Sequence, residues 1–187
     1  MPLVYALVAR AADAVVLAQH AVVNGNFQAV ALECLDRARS GGEERFSITC
    51  DGYTFNYLIN SGYVFVVAAD DAYGRQIPFA CCKRIADAWT ERFWEKGRTA
   101  APNSMERTFG PVLRREMEYC QSHPEEMSRM AAVQQKVDEV KGIMVQNVES
   151  VLQRGENLDV LVNRTDDLRD QAHKFQIQGT QLRKRMW

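Results

Sequence analysis

Arg154 is the one charged residue in an otherwise largely apolar seam, and its guanidinium can make directional, charge-assisted hydrogen bonds to oxygen acceptors. Taken every third and then fourth residue, the seam runs Met130, Val133, Val137, Val140, Met144, Asn147, Val151, Arg154, Leu158, Leu161, Thr165, Leu168, Ala172, Phe175, Gly179 and Leu182. The mean period of about 3.5 residues is that of a heptad, the repeat of helices that supercoil around partners. Between the seam positions the chain is charged or polar, as at Asp138, Glu139, Asp166, Asp167, Arg169 and Asp170. One such helix cannot bury its own stripe. Facing helices would enclose Arg154, and a guanidinium left there without acceptors costs several kcal/mol, so the partners must supply oxygens. A lone polar group in an apolar seam also fixes register and strand number, because any slip sets it against hydrocarbon.

The other residues with chemical capacity form no site. Cys120 and His123 have a zinc-like local spacing but lack the second pair that a structural zinc needs. Cys81 and Cys82 could accept an acyl chain, yet adjacent cysteines in an apolar helical pattern read as core. His20, His123 and His173 have no nucleophile motif beside them, and Gly41-Gly42 lacks the lysine of a phosphate loop. No enzyme, metal site or cofactor is expected. The aromatics Trp89, Phe93 and Trp94 read as core packing, with Trp94 the one left towards solvent.

The chain of 187 residues is 47% hydrophobic and 25% charged, with a formal net charge of -1 that gives no reason to expect nucleic acid. Its five cysteines, odd in number and set in apolar patterns without a secretory leader, suit reduced thiols in the cytosol. No run of eighteen apolar residues occurs, so nothing in this sequence is expected to span a bilayer. It ends on Arg183, Lys184, Arg185, Met186 and Trp187, a basic and aromatic pattern that commonly flanks the cytoplasmic end of a membrane helix.

Before the seam, Leu3 to Val8 and Ala14 to Val23 are apolar on successive residues and read as a hairpin covered on both faces. A helix follows from Phe27 to about Ala38, with Phe27, Val30, Ala31, Cys34, Leu35 and Ala38 on one side. Three strands come next, near Glu44 to Cys50, Tyr53 to Asn60 and Tyr63 to Ala69. Asp51-Gly52 between the first two is a strong hairpin signal, since a type I′ turn needs positive φ at both central residues. Pro78 suits the first turn of a helix reaching about Trp94, with Phe79, Cys82, Ala86, Trp89 and Phe93 as its apolar side. A further helix, from about Met105 to Gln121, directs Phe109, Leu113, Met117 and Cys120 to the core, and Pro111 leaves its start open between 105 and 111. The order predicts an α+β fold, a five-stranded antiparallel sheet with one helix on one face and two on the other. Pro124 is the last proline, so the heptad segment is free to form one helix of about 80 Å at 1.5 Å per residue.

Residues 134 to 144 (Gln134-Gln135-Lys136-Val137-Asp138-Glu139-Val140-Lys141-Gly142-Ile143-Met144) and Val151-Leu152-Gln153-Arg154-Gly155-Glu156-Asn157-Leu158 closely resemble the R-SNARE motif of the vesicle-associated membrane proteins, in register from about Glu126 to Trp187. Tyr5-Ala6-Leu7-Val8-Ala9-Arg10, Gly25-Asn26-Phe27 and Tyr53-Thr54-Phe55-Asn56-Tyr57-Leu58 resemble, more loosely, the profilin-like longin domain found ahead of a subset of those motifs. The two resemblances imply a longin domain at 1–123 and an R-SNARE coiled-coil segment at 124–187 with a basic juxtamembrane end. Arg154 would then be the ionic-layer arginine, meeting three glutamines from Q-SNARE helices in a parallel bundle that draws membranes together, and the other seam residues would be its layers. The family carries a transmembrane anchor after this point, which would hold the protein on the cytoplasmic face of vesicle, endosomal or plasma membranes. The sequence as given is expected to be the soluble part. The resemblance further implies a longin domain that folds back on the SNARE segment or is sorted by coat adaptors. A longin-domain trafficking adaptor or tether subunit with a scaffolding coiled coil is the alternative, and the lone Arg154 argues against it.

Overall fold

The computed structural model describes residues 2–38, 44–130 and 144–147. Strand β1 (Leu3–Arg10) pairs antiparallel with β2 (Val16–Ala21) across a tight reversal in which Ala14 takes a φ of 57°. Arg10 holds that reversal. Its Nε donates to Asp13 Oδ1 at 3.0 Å, and its Nη1 donates to the carbonyls of Gly97 at 2.9 Å and Ala100 at 3.1 Å. Helix α1 (Phe27–Ala38) has the bounds that its periodicity predicts, and Phe27, Val30, Ala31, Cys34 and Leu35 are all buried.

The meander β3 (Arg45–Cys50), β4 (Tyr53–Asn60) and β5 (Tyr63–Asp70) turns twice on two-residue loops. Both loops use positive φ at both positions, 48° and 84° at Asp51 and Gly52 and 55° and 87° at Ser61 and Gly62, the geometry whose twist matches that of the flanking strands. A short 3-10 turn at Asp71–Tyr73 leads into α2 (Gln76–Arg92), in which Pro78 occupies the first turn and loses only a donor that has no intrahelical partner there. A single turn, α3 (Trp94–Gly97), precedes α4 (Glu106–Ser122). The start of α4 is Glu106 rather than Pro111: Phe109 N still donates to Met105 O at 2.8 Å, and the proline removes only its own bond.

The strand order is β2-β1-β5-β4-β3-β6, with β1 through β5 antiparallel throughout. One face carries α1 over Leu7, Ala9, Phe46, Ile48, Phe55, Tyr57, Val64 and Val66; the other carries α2 and α4 over Ala6, Val8, Phe65 and Val67. This is the expected five-stranded sheet with one helix below and two above. An irregularity between Leu3 and Tyr5 turns both Val4 and Tyr5 into the α1 core, the local re-aiming that a bulge produces.

After His123 the chain is helical again over 124–130, and it stays on the domain. Met127 is fully buried among α2 and α4, and Met130 packs against the same core. Pro124 is the first residue of this new helical stretch, which stays packed on the same core. The strand β6 (Met144–Asn147) departs from the continuous helix expected after Pro124: it adds in parallel to β3 as the sixth strand of the sheet. Among the described residues no helix is long and apolar enough to cross a membrane.

Candidate functional site: the β3 edge and the segment that covers it

A sheet edge becomes a binding surface when its backbone is held flat and its side chains are already satisfied elsewhere. β3 meets both conditions. Phe46 and Ile48 point into the α1 core, where Phe46 stacks on Tyr57 with ring centroids 4.4 Å apart. Tyr57 in turn donates its hydroxyl to Ala31 O of α1 at 2.8 Å. Full burial pushes the Tyr57 phenol well above its ordinary range, so it stays a neutral donor.

On the opposite face, alternation places Ser47 and Thr49, and both are tied down by polar contacts. Arg75, just ahead of α2, donates from Nε to Ser47 Oγ and from Nη2 to Thr49 Oγ1, each at 3.1 Å. Ser47 Oγ donates to Asn56 Oδ1 at 3.0 Å, and Asn56 Nδ2 donates to Thr54 Oγ1 and to Val67 O, each at 3.0 Å. Ser47, Thr54 and Asn56 have no solvent exposure, so the bonds are what make their burial tolerable. The network stitches β3, β4 and β5 together from the α2 side. It leaves the outer backbone of β3 to face an added strand.

That strand is β6. Phe46 pairs with Met144, Ser47 with Val145, Ile48 with Gln146 and Thr49 with Asn147. A parallel pair of four residues is a short, weak addition compared with the long antiparallel ladders inside the domain.

A second contact lies at the start of the segment. Tyr119 donates its hydroxyl to Glu126 Oε2 at 2.8 Å, and the Arg84 guanidinium sits 4.0 Å from the Tyr119 ring centroid. Arg84 is itself fixed by Nε donating to Glu116 Oε2 at 2.7 Å.

Of the seam residues expected from the sequence, the structure describes three. Met130 is half-buried against the α2–α4 core, and Met144 and Asn147 lie in β6. Val133, Val137, Val140, Val151, Arg154, Leu158, Leu161, Thr165, Leu168, Ala172, Phe175, Gly179 and Leu182, with the basic Arg183, Lys184 and Arg185, lie outside the described residues. The Ser47, Asn56 and Arg75 network carries no sequence signal, because it joins residues up to 28 positions apart, and the Tyr119 and Glu126 contact carries none because it spans the break at His123 between two helical stretches. β6 does carry a faint one: Gly142 lowers helix propensity just before Ile143 and Val145, two β-branched residues.

Both parts of the chain match known families. The Synaptobrevin family model matches residues 129–187, and the Longin model, described as a regulated-SNARE-like domain, matches residues 17–113. Vesicle-associated membrane protein 722 of Arabidopsis thaliana is 43% identical over 186 residues, covering 99% of this chain and 83% of the relative. Vesicle-associated membrane proteins 725 and 721 of the same plant are 44% and 42% identical, again over 99% of this chain, and it covers 64% and 84% of them. The vesicle-associated membrane proteins are not enzymes but trafficking proteins, and this chain, with a longin fold ahead of a SNARE segment, belongs to their longin-type R-SNARE family.

Proposed function

We propose that residues 124–187 supply one helix to a parallel four-helix SNARE bundle that drives membrane fusion, with Arg154 meeting glutamines of three Q-SNARE helices, and that domain 1–123 controls when this helix is available. The observation that carries the regulatory half is the pairing of β6 with β3. Met144 and Asn147 are seam positions, and they are extended against the domain edge. A residue cannot be extended, at about 3.3 Å rise, and helical, at 1.5 Å, at once. The domain edge and the bundle therefore compete for the same four residues. The bundle half rests on the seam and on Arg154 in its register, together with the family to which the chain belongs. By the same reading the protein acts at the cytoplasmic face of vesicle, endosomal or plasma membranes.

Two variants test it with three glutamine-bearing SNARE helices as the probe. Arg154→Leu is expected to change the register or stoichiometry of the assembly seen by sedimentation while the domain melts as before. The isolated segment 124–187 is expected to assemble faster than the full chain. Equal rates would remove the regulatory half, and unaltered stoichiometry and fusion kinetics for Arg154→Leu would remove the ionic layer.

A further inference from the structure

The SNARE segment touches the domain at a second place, one turn before its first seam residue. The Tyr119 ring has the Arg84 guanidinium 4.0 Å from its centroid and the His123 ring 4.1 Å away, with the two ring planes 19° apart. Two groups that close cannot share one face, so Tyr119 is sandwiched between them. Arg84 cannot swing away cheaply, because Glu116 holds its Nε at 2.7 Å and is itself only 7% exposed. The hydroxyl at the ring's tip is thereby aimed at Glu126, which accepts at 2.8 Å from within helical residues 124–130. Behind that bond Met127 is fully buried, its amide donating to His123 O at 3.1 Å, and Met130 rests on the same core.

We propose that Tyr119 and Glu126 form a latch that fixes the first turns of the SNARE segment to the folded domain, independently of the β3 edge. This rests on the reading above that the segment must leave the domain to assemble. Met130 is the first residue of the seam, so a bundle that zips from its first layer has to withdraw Met130 from the domain core, and the latch sets how easily that happens. Releasing β6 alone would leave this attachment in place. Opening is then a two-point event: the edge strand frees the middle of the segment, and the latch frees its beginning.

The test uses the full chain and hydrogen exchange of two groups of amides, those of residues 127–130 and those of β3. Tyr119→Phe keeps the ring sandwich and removes only the hydroxyl; Glu126→Ala removes the acceptor. Each is expected to speed exchange at 127–130 roughly fivefold, as loss of one hydrogen bond implies, with β3 unchanged, and to speed assembly with three glutamine-bearing helices by a similar factor. The double variant is expected to match the singles rather than add to them. Unchanged exchange at 127–130, additive effects, or faster exchange without faster assembly would each overturn the latch. Failure of the β3 edge reading has a different signature, rapid β3 exchange already in the unaltered chain.

Discussion

Met144 stands opposite Phe46 in a parallel pairing, so a seam position of the SNARE segment is held as strand beside one of the most buried residues of the longin sheet. Phe46 is fixed by its stack on Tyr57, and Tyr57 by its bond to α1, so the edge that Met144 meets is anchored from the α1 core rather than by the added strand. A preformed edge lowers the ordering cost to the four residues that add to it. The shortness and parallel sense of the pairing make it weak beside the long antiparallel ladders of the domain, as the proposed competition with a bundle requires.

Gly97 lies directly against Trp89 and Tyr63. A Cβ there would lie 2.5 Å from Trp89 Cζ2 and 2.7 Å from the Tyr63 hydroxyl oxygen, and Trp89 is fully buried. Gly97→Ala is expected to destabilise the domain by about 1–3 kcal/mol, the usual cost of overpacking, read as a lower midpoint in chemical denaturation. An unchanged midpoint would mean that the Trp89 region relaxes freely.

All five cysteines are buried thiols. The contact with Cys120 and burial push the Cys81 thiol well above its ordinary value, and burial pushes Cys82 in the same direction. Labelling of the native protein by a maleimide is expected to proceed no faster than global unfolding, and to reach all five thiols in denaturant. Rapid native labelling of Cys81 or Cys82 would reopen the case for acylation, for which their burial leaves no access.

His20 lies beside α4 in an open depression lined by Glu106, Arg114, Arg115 and Glu118. Burial, and then the charge of Arg114, lower its pKa from the ordinary 6.5, with Glu118 opposing. The unfolded chain therefore binds the proton more readily than the folded one. Stability from this residue is fully present above the ordinary pKa and is lost as the pH falls through the lowered one. An NMR titration of the His20 ring is expected to show a midpoint below 6.5, and His20→Gln to flatten this part of the acid limb. A midpoint at or above the ordinary value would contradict the burial argument.

Much of the fold is legible because local rules agree with it. Asp51-Gly52 takes the two positive φ values that its sequence demands, and α1 follows the apolar period from Phe27 to Ala38. The alternating faces of β3 to β5 place the aromatic residues where the helices need them. Arg154 is legible in the opposite sense, since only its place in the heptad speaks for it and it lies outside the described residues. What the sequence hides is non-local. Nothing in the spacing of Ser47, Asn56 and Arg75 announces that they bond, and Glu126 looks like any solvated carboxylate until Tyr119 is seen beside it. Residues 144–147 sit within a helical period weakened only by Gly142 and the β-branched Ile143 and Val145, and an edge that accepts a strand overrides that local preference.

On the proposed function, the sheet edge and the SNARE bundle compete for residues 144–147. Hydrogen exchange of β3 and of residues 144–147 in the full chain, before and after adding three glutamine-bearing helices, tests it most directly. Protection at the outer backbone of β3 is expected before addition and is expected to be lost on assembly, while residues 144–147 become more protected as helix. A fully assembled bundle in which β3 keeps its protection would contradict it.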